Sequence, residues 1–278
     1  MAGKLLLCAT PIGNLEDITF RVIRTLKEVD LIAAEDTRHS IKLLNHYDIK
    51  TPMTSYHEFN KIEKAKYLVK LLMEGKNIAL ITDAGTPGIS DPGEELVKEA
   101  YANGVEVTSL PGPAAVITAL TLSGLSTRRF AFEAFLPTDK KEKQAILEEL
   151  KKETRTTILY EAPHRLLKTL ELLYEALGDR RVTVCRELTK KHEIAFLTTF
   201  SKAISFYTTN DPKGECVLVI EGVSREDLII EQQIIWKDMP LNEHMELYLS
   251  KGLSKKEAMK EVSKDRGVSK REIYQQLL

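Results

Sequence analysis

The chain has 278 residues, 40 of them basic and 41 acidic, so its formal net charge is −1. That balance gives no overall electrostatic reason to expect a nucleic-acid partner, and the length suits one large or two ordinary domains. Three separated cysteines without a C-x-x-C pair predict a reducing, cytoplasmic setting. No apolar run reaches the roughly 18 residues needed to span a bilayer, so we expect a soluble protein with no membrane partner.

Residues 1–122 alternate short apolar strands with longer amphipathic helices. Strands are predicted at 4–10, 29–35, 77–83 and 105–110. Their apolar runs do not alternate with polar residues, so both faces of each strand must be covered. The pattern predicts an N-terminal α/β domain over residues 1–122, with a mostly parallel sheet between two layers of helices.

Residues 123–222 show a different pattern and predict a second α/β domain. Two strand-like runs, 180–188 and 193–200, follow each other with no helix between them, which indicates a mixed, partly antiparallel sheet. Residues 223–278 predict a small helical extension, with Ser254 and Ser269 as N-caps. Its net charge changes from −4 over residues 223–250 to +4 over residues 251–278.

Three loops rich in glycine and proline follow predicted strands of the first domain. They are residues 9–17, 83–93 and 110–115. Ligands of open α/β sheets bind outside the carboxyl ends of the strands, so these loops predict a cleft at this edge of the first sheet. Small side chains and exposed peptide groups in the loops suit an amphipathic ligand with an aromatic base, a ribose and a charged tail. The alternative is that the loops are tight turns that need Gly and Pro for geometry alone.

Familiar motifs for other chemistry are missing from the sequence. It contains no G-x-G-x-x-G turn, no P-loop, no H-E-x-x-H or close His/Cys grouping, and no G-x-S-x-G elbow. We therefore expect no metal site. The cleft is predicted to hold its ligand largely through backbone contacts.

Six motifs, in order, carry a family resemblance: LLLCATPIGNLEDIT, LIAAEDTRHS, LITDAGTPGISDPG, SLPGPAAVITALTLSGL, LYEAPHR and CRELTK. Together they resemble the class III S-adenosylmethionine-dependent methyltransferases of the tetrapyrrole methylase superfamily. Within it the sequence is similar to the bacterial branch that methylates the ribose 2′-oxygen of a cytidine in the 16S rRNA decoding centre. The resemblance implies two α/β domains with S-adenosylmethionine, the methyl donor, in a cleft between them. It also implies 16S rRNA of the small ribosomal subunit as partner, and a homodimer.

The resemblance also implies which residues hold the donor. From the first domain these are Pro11, Ala84, Gly85, Thr86, Ile89, Ala114 and Ala115, with Asp83 adding a carboxylate in the same loop. From the second domain they are Tyr160, Glu161 and Leu188. Related tetrapyrrole enzymes carry a G-D-P turn where this chain has Ala84-Gly85-Thr86. We therefore expect this turn to contact the donor through its backbone, whereas the side-chain contacts of the related enzymes do not carry over directly.

Two polar motifs provide the candidate catalytic residues. Glu35, Asp36 and Arg38 follow a strand of the first domain, and Glu187 and Lys190 follow a strand of the second. A carboxylate beside a cation on each side of the cleft can orient a ribose hydroxyl and hold a phosphate. The alternative for the first motif is that Glu35 or Asp36 caps a helix and Arg38 forms a surface ion pair with it.

His57 and His164 are further candidate bases, although a lone histidine near a helix start, such as His164, more often has a structural or capping role. Tyr56 is a candidate for stacking on an RNA base, and burial of its loop against its own domain is an equally good alternative. Two rival functions stay open at this stage: a methyltransferase that acts on a tetrapyrrole or another small molecule, and an RNA-binding assembly factor without activity.

Overall fold

Five short parallel strands form the first sheet. A computed structural model describes residues 2–278, apart from the side chains at positions 231, 232, 235 and 237. The strands are β1 (Lys4–Cys8), β2 (Leu31–Ala34), β3 (Met53–Ser55), β4 (Ile78–Ile81) and β5 (Glu106–Leu110). Their order across the sheet is β3-β2-β4-β1-β5. Because β4, β1 and β5 are parallel neighbours, the three loops rich in glycine and proline leave the sheet side by side.

Helices cover both faces of this sheet. They are α1 (Phe20–Glu28), α2 (Thr37–His46), α3 (Lys61–Met73) and α4 (Gly93–Ala102), followed after β5 by α5 (Ala115–Leu122). In β4, Ile78 and Leu80 pack with α3 and α4, whereas Ala79 and Ile81 pack with α1 and α2. The predicted parallel sheet with helices on both sides is confirmed. The strand β3 was not predicted, because three residues are too few to show a pattern.

The second sheet is mixed, as predicted. Its strands are β6 (Phe130–Phe135), β7 (Thr156–Glu161), β8 (Arg181–Arg186), β9 (Ile194–Thr199) and β10 (Cys216–Ile220), in the order β6-β7-β10-β8-β9. β10 is antiparallel to both of its neighbours, and only β6 and β7 pair in parallel. The sequence pattern did not predict β6, whose residues were assigned to a crossing between domains.

The second sheet has a different cover on each face. On one face lie α6 (Lys140–Lys152), α7 (Leu166–Leu177) and α8 (Phe200–Thr209), packed around Leu159, Val184 and Leu218. On the other face lies α5, which follows the last strand of the first sheet and packs against Val217 and Val219 of β10. Helix α5 therefore joins the two sheets.

Residues beyond the second sheet form a helical extension. Its helices are α9 (Arg225–Asp238), α10 (Leu241–Leu249), α11 (Lys255–Asp265) and α12 (Lys270–Gln276). The last three share a small core of Met245, Ala258, Val262 and Ile273. Ser254 and Ser269 both form complete capping boxes, so the two predicted N-caps are confirmed.

The predicted architecture of two α/β domains with a helical extension is thus confirmed. The domain limits 1–122, 123–222 and 223–278 stay predictions, since α5 belongs to the first unit by sequence and packs on the second. No helix among residues 2–278 is long and apolar enough to cross a membrane.

Candidate active site

The three loops at the edge of the first sheet are bound to one another. Thr10 and Gly85 exchange backbone hydrogen bonds of 2.9 and 3.0 Å, which ties the loop after β1 to the loop after β4. The Thr86 hydroxyl donates to the Pro113 carbonyl at 2.9 Å, which ties the loop after β4 to the loop after β5. The loops therefore form one continuous wall.

Asp91 fixes the shape of the middle loop. Its carboxylate accepts hydrogen bonds from the backbone N–H groups of Gly88, Ile89 and Gly93, at 2.8 to 3.0 Å. Gly85 and Gly88 have φ of +85° and +87°, a region in which a side chain is strained. This explains why glycine is required at these two positions.

The second domain supplies the opposite wall. Tyr160 at the end of β7 packs edge-on against Phe132 and Phe135 of β6, with ring centroids 4.9 and 5.7 Å away. Burial raises the pKa of the Tyr160 hydroxyl. Burial also raises the pKa of the Cys216 thiol to about 12, so this cysteine is neutral and inert at physiological pH. The wall is largely apolar and carries no reactive thiolate.

Between the two walls lies a cavity of about 310 Å³, near the lower limit for small-molecule sites. Nine of the residues predicted to hold the donor line it: Ala84, Gly85, Thr86, Ile89, Ala114, Ala115, Tyr160, Glu161 and Leu188. The structure brings these nine together from four separate segments of the chain. Their role in binding a donor stays a prediction.

Two predicted residues, Pro11 and Asp83, do not line the cavity. Each is next to a residue that does, Ile12 and Ala84 respectively. Sequence reasoning also missed several lining residues: Phe135, Ala162, Pro163, Glu215, Cys216 and Val217. Ala162 and Pro163 belong to the quoted LYEAPHR motif, which was a usable signal, whereas the others become neighbours only through the pairing of β6, β7 and β10.

Glu161 lines the cavity but is already bonded within its own domain. One carboxylate oxygen accepts from the Thr169 hydroxyl at 2.6 Å, and the other accepts from the Ala162 backbone N–H at 2.8 Å. Arg165 lies 3.3 Å from the same side chain. The carboxylate therefore orients the turn after β7, in addition to facing the cavity.

An acidic corner of Glu35, Asp36 and Asp83 lies beside the cavity, where β2 and β4 end. The Asp83 side chain accepts from the Asp36 backbone N–H at 3.1 Å, and the Asp83 N–H donates to Glu35 at 3.4 Å. Partial burial raises the pKa of Glu35, and the negative charges of Asp83 and Asp91 raise it further. Among the predicted catalytic residues, Glu35 has the environment of a proton acceptor.

Asp36 and Arg38 adopt the alternative arrangement of a cap and an ion pair. Asp36 caps α2 by accepting from the Arg38 backbone N–H at 2.8 Å. The Arg38 guanidinium also binds the same carboxylate through two side-chain bonds, which lowers the pKa of Asp36. The Arg38 side chain is 90% exposed. Among the side chains that the structure describes, Asp36 is the only one that it pairs with.

Glu187 and Lys190 form an ion pair at 3.0 Å in the loop after β8. Lys190 lies 3.6 Å from Glu215, a residue that lines the cavity. Glu187 and Thr189 have φ of 51° and 64°, a strained backbone conformation that is common at functional sites. A Cβ added at Gly13 would lie 2.5 Å from Lys190 Cγ, so the loop after β1 touches this loop directly.

The predicted stacking role of Tyr56 is wrong. Its side chain is 1% exposed, and its hydroxyl donates to the Pro92 carbonyl at 2.9 Å, so no base can reach the ring. His57 pairs with Asn60 in the same loop, and His164 lies in the turn after β7. Among the side chains that the structure describes, no group of three His, Cys, Asp or Glu is placed to hold a metal ion.

The fold and the cavity define a two-domain α/β protein with a cavity of small-molecule size at the carboxyl ends of its first sheet. The family model of tetrapyrrole (corrin/porphyrin) methylases matches residues 4–204. The chain belongs to this family, so the resemblance drawn from the six motifs and the predicted methyltransferase class are confirmed.

Curated relatives are similar over nearly the whole chain. Ribosomal RNA small subunit methyltransferase I of Halalkalibacterium halodurans is 49% identical over 272 residues, covering 98% of this chain and 93% of that protein. The protein of the same name from Bacillus subtilis is 50% identical with the same coverage.

Solved structures with low identity share the fold. Diphthine synthase has a TM-score of 0.60 at 13% identity, covering 79% of this chain and 90% of that chain. Uroporphyrin-III-C-methyltransferase from Thermus thermophilus has a TM-score of 0.56 at 18% identity, covering 78% of this chain and 94% of that chain. At these identities the likeness shows the fold alone.

The raised pKa of Glu35 implies that the free energy of unfolding depends on pH. A raised pKa means that the folded protein binds this proton more tightly than the unfolded chain. Wild-type stability should therefore fall as pH rises from the ordinary glutamate value of 4.5 through the raised pKa of Glu35. Glu35→Gln should remove that fall, measured by urea unfolding between about pH 4 and pH 7.

Glu221 provides a control of opposite sign. Its ion pair with Arg181 lowers its pKa, so Glu221→Gln should remove a contribution that the wild type loses as pH falls. The difference in unfolding free energy between wild type and Glu35→Gln should therefore change with pH. A difference that is constant with pH, or that changes in the direction expected for Glu221, would contradict the raised pKa of Glu35.

Proposed function

We propose that this protein transfers a methyl group from S-adenosylmethionine to the ribose 2′-oxygen of a cytidine in the decoding centre of 16S rRNA. The observation that carries the proposal is the cavity shared by two domains, which opens beside the acidic corner of Glu35, Asp36 and Asp83. The two relatives that are 49% and 50% identical, both named for methylation of small-subunit ribosomal RNA, support this choice of substrate.

The residues present fit the proposed donor. Gly85 has no Cβ, and Ala114 and Ala115 have short side chains, so a flat ring can lie directly against the backbone. Helix α5 begins at Ala115 with no side-chain cap; the Val116 N–H is bonded to the Tyr160 hydroxyl, which leaves the Ala115 N–H to a polar part of the ligand. When bound, the donor supplies an electrophilic methyl group on a sulfonium. The protein's own part is to hold the two reactants in line.

The acidic corner is where we place the acceptor hydroxyl. Glu35 is the proposed acceptor of its proton, since its carboxylate is partly buried and its only backbone bond is the long contact to Asp83. Lys190 is held near the cavity by Glu187 and Glu215, and is proposed to position the phosphate next to the target ribose. The Asp36–Arg38 pair retains free N–H groups on an exposed guanidinium and is proposed to contact RNA at the outer rim.

The helical extension is proposed as a further RNA contact. Residues 251–278 carry a net charge of +4, and α11 and α12 are joined by a short turn in the manner of a helix-turn-helix. The site of action of such an enzyme is the small ribosomal subunit in the cytoplasm, in agreement with the reducing environment that three free, buried cysteines imply.

A homodimer completes the proposal. Helix α5 is apolar apart from Thr118 and Thr121, a composition typical of buried helices, yet Ile117 and Leu122 are 47% and 42% exposed. Leu197 of the edge strand β9 pairs with Thr183, whose side chain faces α5, so Leu197 lies on the same face of the sheet and is 51% exposed. We propose that a second copy covers this surface of Ile117, Leu122 and Leu197.

Substitution of Gly85 tests the donor wall. Gly85→Val introduces a β-branched side chain at positive φ and should cost about 1–2 kcal/mol of stability, while reducing affinity for S-adenosylmethionine at least about tenfold. Gly104→Val is the matched control, because Gly104 has φ of +69° in open space at the far end of β5. Calorimetric titration should show weakened donor binding in Gly85→Val only. Equal affinity in the two folded variants would contradict the proposed wall.

The proposed reaction has a direct assay. Labelled methyl from S-adenosylmethionine should enter the 16S rRNA of purified small subunits, at a cytidine that then resists alkaline cleavage because its 2′-hydroxyl is blocked. Label in a uroporphyrinogen-type acceptor alone would favour the small-molecule rival. Binding to subunits without formation of S-adenosylhomocysteine would favour the assembly-factor rival.

Leu197→Glu should convert the dimer to a monomer, since it places a charge in the proposed apolar interface. Analytical ultracentrifugation measures the change. Met73→Glu, at the end of α3, is the control, because Met73 is similarly exposed at 52% and lies outside this surface. A monomeric wild type, or a dimer that Leu197→Glu leaves intact, would contradict the proposed interface.

A further inference from the structure

A second, polar groove lies at the other end of the second sheet. It has a volume of about 510 Å³. One side is the segment that connects α5 to β6, and the other is the turn that connects β10 to α9. A Cβ at Gly222 would lie 2.4 Å from the Thr154 backbone, so glycine at this position allows the turn to approach the start of β7 closely. The shape of the groove is thus fixed by the packing of the backbone around it.

Four arginines line this groove: Arg128, Arg129, Arg181 and Arg225. Arg181 is paired with Glu221, the single acidic residue among the described lining residues. Arg128, Arg129 and Arg225 are exposed, and no ion pair or hydrogen bond joins their side chains to any residue whose side chain the structure describes. Three positive charges therefore face the groove without internal compensation.

The start of α9 adds little to this attraction. Ser224 caps the helix by accepting from the Asp227 N–H at 2.9 Å, and Glu226 and Asp227 occupy the first turn. These carboxylates already offset the positive end of the helix dipole. The three uncompensated arginines therefore carry the attraction for an anion, and arginine is the side chain best suited to bind phosphate oxygens in pairs.

The groove and the donor cavity lie at opposite ends of β7. Thr156 lines the groove and Tyr160 lines the cavity, and the two residues are four positions apart along the strand, a distance of about 13 Å. A small ligand in one site does not reach the other. A polymer with regularly spaced phosphates spans both.

We propose that this groove binds the phosphodiester backbone of the rRNA substrate while the target ribose lies at the donor cavity. The inference rests on the proposed function and deepens it, because it names the face of the second domain that holds the RNA. Such contacts position the substrate without reading its sequence. They also make binding dependent on salt, because each neutralised phosphate releases a counterion.

The test compares two triple variants of the full-length protein with equal changes in charge. Arg128→Ala/Arg129→Ala/Arg225→Ala removes the three uncompensated arginines of the groove. Arg24→Ala/Lys66→Ala/Lys70→Ala removes three exposed cations from α1 and α3. For both variants the measurements are KM for small subunits, the salt dependence of subunit binding, calorimetric affinity for S-adenosylmethionine, and oligomeric state.

The groove variant should raise KM for subunits about tenfold or more and reduce the slope of log affinity against log salt by about 3. Its donor affinity and oligomeric state should match those of the wild type, and the control triple should leave KM nearly unchanged. An unchanged KM in the groove variant, or an equal rise in the control, would overturn the inference.

Two further outcomes separate the causes of failure. If wild-type protein does not methylate small subunits at all, the proposed function fails. If it does, and the groove variant binds inorganic pyrophosphate more weakly than wild type while its KM for subunits is unchanged, the groove serves a free phosphate compound and the RNA inference is overturned.

Discussion

The packing of α5 on the second sheet is the interaction on which the cavity depends. Val116, Ala119 and Leu120 of this helix contact Cys185, Val217 and Val219, in one apolar cluster that also includes Ile12 of the first loop. The Thr183 hydroxyl donates to the Ser123 carbonyl at 2.7 Å and fixes the end of the helix. Truncating one fully buried leucine in such a cluster costs about 2–5 kcal/mol. Because Ala114 and Ala115 begin this same helix, the position of one cavity wall is set by its packing on the domain that forms the other wall.

Polar groups are distributed around the cavity by the order of the strands. The walls come from β4, β1 and β5 on one side and from β7 and β10 on the other, and they are largely apolar. Charged residues are displaced to the neighbouring strand end at Glu35 and to the loop after β8 at Lys190. The fold thereby separates a largely apolar cavity from a charged rim.

Much of this arrangement could be predicted from the sequence. Continuous apolar runs such as the one at Ile78–Ile81 indicate strands buried on both faces, and Gly85 and Gly88 mark a loop that needs positive φ. Motifs were most informative where several neighbouring residues line the cavity, as at Tyr160 and Glu161. The contributions of Phe135 and Cys216 were not predictable in this way, because a wall residue on an ordinary strand carries no local signal. For Tyr56 the sequence left stacking on a base and burial equally open; the ring is buried, because its hydroxyl finds a carbonyl partner inside the fold.

The other proposals depend on the methyl donor binding between the loops of the first sheet and the β7–β10 wall of the second. A crystal structure of the protein with S-adenosylhomocysteine is the decisive measurement. We expect density for the whole ligand in this cavity, in contact with Gly85 and Ala114 on one side and Tyr160 on the other. Ligand density at another place on the protein, with this cavity empty at saturating concentration, would contradict it.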